Sequence, residues 1–322
     1  MKEYLIRRVL ISLLILIGVS FVIFLLIRSM PGDYVNMVTA NMRSVTPAMK
    51  ENFRRMLGLD KGLLEGYVDW LIRVFQGDFG TSWIYNRPVT EVFASRIGIS
   101  FSMNVISLIL QCLIAIPLGI VSATRQYSRL DYTVTTFAFL GISMPSFFFA
   151  AILQRVFSVW LGIVPLQGMV TARMDYTGFR HILDLGHHFI LPIIVFTVLS
   201  VGSLMRYTRT NMLEVLNADY IRTARAKGLS EHTVIYRHAF RNTLIPLVTM
   251  LGGTLPTLFT GAMITEQLFA IEGVGKVAIT ALSQGDIPYM MFYYVFIALM
   301  TLLGVLISDI LYAVVDPRVR LG

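Results

Sequence analysis

Residues 9–27 read VLISLLILIGVSFVIFLLI, an apolar run with no charged position. At 1.5 Å per residue it makes roughly 28 Å of helix, the depth of a bilayer's hydrocarbon core. The run therefore crosses a membrane. MKEYLIRR precedes it and Arg28-Ser29-Met30-Pro31 follows. A secretory signal has a shorter apolar region and ends in small residues, so this stretch is expected to be retained as a first transmembrane helix.

The rest of the chain repeats the pattern. Of 322 residues, 56% are hydrophobic and only 14% charged, where a soluble domain carries about a quarter charged. Disorder, collagen and soluble α/β enzymes are excluded. Further uncharged stretches cover 97–124, 132–154, 189–205, 243–265 and 289–308, which predicts an all-α polytopic protein with six spans. Pro117, Pro145, Pro246 and Pro256 lie in or at the ends of these runs; each removes a backbone donor, so kinks or breaks are expected. A seventh crossing over 156–172 is rejected, because Gly162, Pro165 and Gly168 interrupt it. The single cysteine, Cys112, lies inside an apolar run and makes no intrachain disulfide.

The net charge of +8 is read by position, as topology and acidic lipid rather than nucleic acid. With the N-terminus inside, the inner pieces hold Lys2, Arg7, Arg8, Arg125, Arg129, seven Lys/Arg over 206–241, Arg318 and Arg320. The two short outer loops hold Arg173, Arg180 and Lys276. Both termini are thereby expected to be cytoplasmic. The expected division is a first helix over 1–28, an extracytoplasmic loop over 29–96, a core transmembrane domain over 97–315 and a cytoplasmic tail over 316–322. Within the first loop, Thr46 followed by Pro47 signals an N-cap and first helical position, opening a short helix to Leu57. Leu63, Leu64, Tyr67, Leu71, Ile72 and Phe75 recur at helical spacing, a second amphipathic helix ending near Gly77 on the bundle's outer surface.

The most informative loop joins the fourth and fifth spans. Residues 217–242 read NADYIRTARAKGLSEHTVIYRHAFRN. Good helix formers run from Asp219 to Lys227, with Ala224 and Ala226 small enough for close docking. Gly228 then turns the chain, and Ser230 can cap a second helix at Thr233. Two short helices hinged at a glycine make a shape another protein can grip; the bland alternative is a solvated basic loop beside acidic lipid.

At these residues the chain resembles the permease subunits of ATP-binding-cassette importers, whose loop reads EAA, three residues, G, nine residues, then I-x-L-P. Aligned on Gly228, the EAA positions become Arg222, Thr223 and Ala224, and the I-x-L-P positions His238, Ala239, Phe240 and Arg241. The peptide and nickel branch instead runs close to DYIRTARAKG followed by RHAxRN, and both stretches stand here. MPGD at 30–33, LGLDK at 57–61, GDFGTS at 77–82 and YxxxDPR at 312–318 extend the likeness to nearly the whole chain. It resembles the first of two permease subunits of a dipeptide/oligopeptide system. Three positions depart from that pattern: Tyr34 and Gly62 where proline is usual, and Glu272 where the outer stretch 266–275, ExxFxxPGxG, has proline.

The resemblance implies the type I importer transmembrane fold in a bacterial or archaeal cytoplasmic membrane. It implies a homologous second permease, two ATPase subunits carrying ATP and Mg, and an extracytoplasmic binding protein. Asp219, Arg222, Thr223, Ala224, Arg225, Ala226, Lys227 and Gly228 would form the ATPase-coupling loop. Glu266 would stand by the outer gate. Arg155, about 23 residues past Tyr132, should sit at the outer face, snorkelling or meeting solute. Asp309 is expected to pair with an arginine such as Arg206 on a neighbouring helix.

Other patterns are set aside. Asp78-Phe79-Gly80 spells a kinase triplet without the rest of a kinase. Gly273–Lys276 reads GVGK, but Val277 stands where a P-loop needs Ser or Thr. No cofactor, ATP site or bond chemistry is therefore expected on this chain. His187-His188 is read as an interfacial loop before Pro192, without the spacing of a metal site. Relatives carrying nickel, glutathione or other solutes leave the substrate open. A secondary transporter or channel is the alternative from another class; it would need intramembrane ionisable residues and inverted repeats.

Overall fold

The computed structural model describes residues 2–29, 34–39, 46–56 and 58–315. MPGD at 30–33, Leu57 and the tail at 316–322 lie outside these. The chain runs α1 (Lys2–Arg28), α2 (Tyr34–Thr39), α3 (Pro47–Met56), α4 (Leu63–Phe75), α5 (Val89–Thr124), α6 (Arg129–Ser143), α7 (Ser146–Leu153), α8 (Phe179–Leu216), α9 (Asp219–Ala226), α10 (Arg241–Gly253), α11 (Leu255–Thr260), α12 (Met263–Leu268), α13 (Val274–Gln284) and α14 (Ile287–Val315). Wide π-helical turns at Gln154–Trp160 and Thr233–Phe240 prolong α7 and lead into α10.

Among the described residues, five helices are long and apolar enough to cross a membrane: Ile6–Arg28, Val89–Thr124, Phe179–Leu216, Thr233–Leu268 and Ile287–Leu311. The run expected as the third span is bent by 105° between Ser143 and Ser146, a break of the kind its proline foretold. The cause is Pro145: Met144, before it, is forced into extended backbone at ψ 126° and the ladder stops. This pair makes the sixth crossing only if its two arms are counted as one broken span. Pro256 falls in the first turn of α11, where its missing donor costs nothing, and Gly261 at φ +64° divides α11 from α12. Pro117 is carried inside α5 without a break.

Of the stretch 156–172, rejected as a crossing, residues 156–160 finish the π-helical turn and 161–172 are irregular, with Gly162 and Gly168 at positive φ. The fourth helix begins earlier than expected, at Phe179, so His187 and His188 stand in helix rather than loop. His187 Nε2 meets the Ile163 carbonyl at 2.9 Å, and buried His188 meets the Asp184 carbonyl through Nδ1.

α5 and α8 run side by side and form the longest seam. Lipid is as apolar as leucine, so small residues let helices approach. A Cβ on Gly119 would stand 2.8 Å from the Met205 carbonyl oxygen, and one on Gly202 2.4 Å from that of Ala138 in α6. α14 packs on α10 and α1, where Arg8 meets Asp309 at 2.7 Å. Arg8, not Arg206, is thus the partner of Asp309. Arg206 lies over the Phe139 ring at 5.8 Å.

α3 begins where the Thr46–Pro47 start signal placed it, and α4 follows the helical spacing that foretold it. Thr46 Oγ1 accepts from Met49 N–H at 3.3 Å, capping α3. α4 lies against α1 through Tyr67, whose ring meets Phe21 and Phe24 edge-on at 5.1 and 5.6 Å. Its hydroxyl donates to the Ile17 carbonyl at 2.9 Å and sits 2.8 Å from Ser20 Oγ. Each such aromatic pair adds about 0.5–1.5 kcal/mol beyond buried area. The DFG triplet is a turn: Asp78 Oδ1 accepts from Gly80 N–H at 2.8 Å, and Phe79 packs on Phe292.

Candidate functional site

At one end of the bundle α8 runs out at Leu216 and the 217–242 loop begins. α9 follows, with Asp219 in its first turn and Arg225 in its last, both suited to the helix dipole. Its inward side is Ile221 and Ala224, packed with Ile120 and Ala123 of α5, Met212 of α8, and Val234 and Ala239 of the π-helical turn. Ala224 is therefore spent on the chain's own core and is not free for a partner. The exposed side presents Tyr220, Arg222, Thr223, Arg225, Ala226, Lys227 and Leu229.

The chain reverses at Gly228, φ +75°, whose N–H donates to the Arg225 carbonyl at 2.9 Å. Only glycine takes this left-handed conformation without steric cost. The turn is braced by Arg225, which donates through Nε and Nη2 to the two Glu231 oxygens at 2.9 and 3.3 Å. Ser230 Oγ accepts from Thr233 N–H at 3.4 Å, as its capping role requires. The second helix expected here is not a separate piece. It widens into the π-helical turn Thr233–Phe240 and continues directly into α10. Such turns concentrate at functional positions.

Beneath the loop lies a cluster that sequence reasoning missed. Asp131, 3% exposed at the start of α6, receives Arg209 of α8 through Nε at 3.0 Å and Nη2 at 2.9 Å. Ser122 Oγ of α5 donates to the same carboxylate, and Tyr127 N–H does so at 3.0 Å. Three helix ends are joined in one charge-assisted knot. Its signal in the sequence was a carboxylate next to an apolar run, three residues past the cap Ser128.

The other two expected site residues lie apart from this loop. Arg155 is exposed on the π-helical end of the bent pair, its guanidinium over Trp160 at 5.6 Å. Glu266 is at the opposite end of the bundle and has no exposed surface. Near it, Glu272 pairs with Arg96 of α5 at 2.6 Å and Lys276 of α13 at 2.5 Å. Burial works to raise the Glu272 carboxyl, but these two cations outweigh it and hold it below the ordinary carboxylate value.

Residues 115–321 match the family described as "Binding-protein-dependent transport system inner membrane component", and residues 1–113 match "Binding-prot-dependent transport system membrane comp, N-term". The oligopeptide transport system permease protein AppB of Bacillus subtilis (strain 168) is 40% identical over 321 residues, covering 99% of this chain and 100% of its own. A putative peptide permease protein of Brucella suis biovar 1 is 37% identical, with 99% of each chain covered. The dipeptide transport system permease protein DppB of Escherichia coli (strain K12) is 35% identical, again over 99% of each. With five or six apolar crossings among the described residues, a helical loop on one end and family models covering nearly every residue, the chain is a multi-pass membrane protein that belongs to the binding-protein-dependent transport system inner membrane component family.

Proposed function

We propose that this chain is one permease subunit of an ATP-driven importer of di- or oligopeptides. It would form half of the pathway beside a homologous permease and sit in a bacterial or archaeal cytoplasmic membrane. The observation that carries the reading is end-to-end likeness to permeases named for oligopeptide and dipeptide transport. The exposed basic and aromatic side of α9 is the proposed seat for an ATPase subunit. Because α9 is packed on α5, α8 and the root of α10 at once, a push on it moves three helix ends together. That is a lever between two packed states, inward-open and outward-open.

Reconstitution tests this. The purified chain alone should neither hydrolyse ATP nor accumulate a radiolabelled tripeptide. Adding the second permease, the ATPases and a loaded binding protein should give ATP-dependent uptake. Hydrolysis by the chain alone, or uptake indifferent to ATP, would overturn the reading.

Orientation is a separate expectation, motivated by the excess of Lys and Arg near the 217–242 end. Cysteines at Ser128 and Ser230 should be shielded from impermeant thiol reagents in intact cells. One at Thr81, beside the opposite helix ends, should label. External labelling at Ser230 would invert the proposed topology.

A further inference from the structure

Glu266 stands in the sequence pattern of the outer stretch, yet its carboxylate is 0% exposed and has no cation within ion-pair distance among the described residues. What surrounds it is a set of donors drawn from three places. Ser100 of α5 donates through Oγ to Oε1 at 2.7 Å. Ala262 N–H, just before α12, reaches the same oxygen at 3.1 Å. Lys276 N–H, in the first turn of α13, reaches Oε2 at 2.9 Å. Ser100 Oγ in turn accepts from Val274 N–H at 3.0 Å, so its own proton is directed at Glu266.

Space for the carboxylate has been cleared by glycines. A Cβ on Gly273 would lie 2.5 Å from Oε2, one on Gly261 2.7 Å from Oε1, and one on Gly275 3.0 Å from Oε2. A carboxylate here completes the unpaired N–H groups that open α13 and complements the positive end of that helix. All donors point inward, so the group they surround must accept at both oxygens. Glutamine fails in either orientation: its NH₂ faces Lys276 N–H one way, and Ala262 N–H and the Ser100 hydroxyl the other.

We infer that Glu266 is a positioning residue, the keystone that pins the start of α13 and the 261–276 stretch onto α5, rather than a group that meets passing solute. α13 packs directly under the start of α14 with Val274, Val277 and Ala281 in one core with Tyr289 and Tyr293. The keystone therefore sets how the end of the bundle opposite α9 is closed. Its bearing on transport rests on the importer reading above.

The test has two arms. In a Cys112→Ala background, Val274→Cys is placed under the keystone and Met212→Cys beneath α9; the purified chain is treated with a poly(ethylene glycol) maleimide. Labelling follows the population of the locally open form, so Glu266→Gln should raise the rate at Val274→Cys roughly tenfold or more and leave Met212→Cys unchanged. Ser100→Ala should raise it less. Continued protection of Val274→Cys, or equal exposure of Met212→Cys, overturns the inference, and neither result needs a partner.

In the second arm Glu266→Gln is assembled with the second permease, ATPases and binding protein. ATP hydrolysis without binding protein should match the parent, because α9 is at the far end. Stimulation by loaded binding protein and tripeptide uptake should fall roughly tenfold or more. Unchanged stimulation with an opened α13 would remove Glu266 from the transport cycle. A parent complex without stimulation would count against the importer reading, with the labelling arm still deciding the keystone.

Discussion

Gly228→Val is expected to cut tripeptide uptake by the assembled transporter roughly tenfold or more while the apolar spans insert normally. Gly228 sits at φ +75° with no atom within 4 Å of where a Cβ would go. The penalty is therefore conformational and not a clash within this chain. Left-handed backbone costs an L-residue about 1–2 kcal/mol, more for a β-branched one, and about 1.4 kcal/mol is tenfold in a population. To escape the strain α9 must swing, tearing Ile221 and Ala224 from their seat and breaking the Arg225–Glu231 brace. The series separates two uses of the glycine. If only the left-handed turn matters, Gly228→Asn should be mild, Gly228→Ala intermediate and Gly228→Val severe, since asparagine visits this region readily. If an ATPase surface closes on this position, all three should fail alike in uptake and in co-purification of the ATPase. Parent-level values for Gly228→Val would end the coupling proposal for this loop.

Arg209→Leu should lower the thermal midpoint of the detergent-purified chain by roughly 5–15 °C, because about 3–5 kcal/mol is typical when one partner of a buried ion pair is removed. Asp131 is almost wholly enclosed, and only the neutral donors Ser122, Tyr127 and Thr135 would be left to hold its charge. The double change Asp131→Leu with Arg209→Leu removes both charges and should recover much of the loss. A double variant no more stable than Arg209→Leu alone would mean that the pair is not the source of the effect. Transport is expected to stay low even in the double variant, because the bidentate geometry that fixes α6 against α8 is gone.

The six apolar stretches, the two helices of the first loop and the short helix ending at Gly228 were all legible in the sequence. Each depends on contacts within a few residues: a run long enough to span, a Thr46-Pro47 start, a helical stripe, a glycine stop. Membership in the transport family was legible for the same reason, since its motifs are contiguous. What needed the tertiary structure was every pairing between segments distant in the chain. Asp309 takes Arg8 rather than Arg206, and Asp131 takes Arg209, because only the packed bundle decides which helix ends are neighbours. Ala224 turns inward while Ala226 stays exposed, a choice made by the cluster around Ile120 and Val234 and not by helix propensity. The 105° bend at Pro145 was foreseeable as a break but not in size, because the angle depends on where the second arm finds its packing. Glu266, read along the chain, is an acid at the end of a span. Only when Ser100, separated from it by most of the bundle's sequence, and the backbone of Lys276 close around it does it become a capped carboxylate with no room to spare.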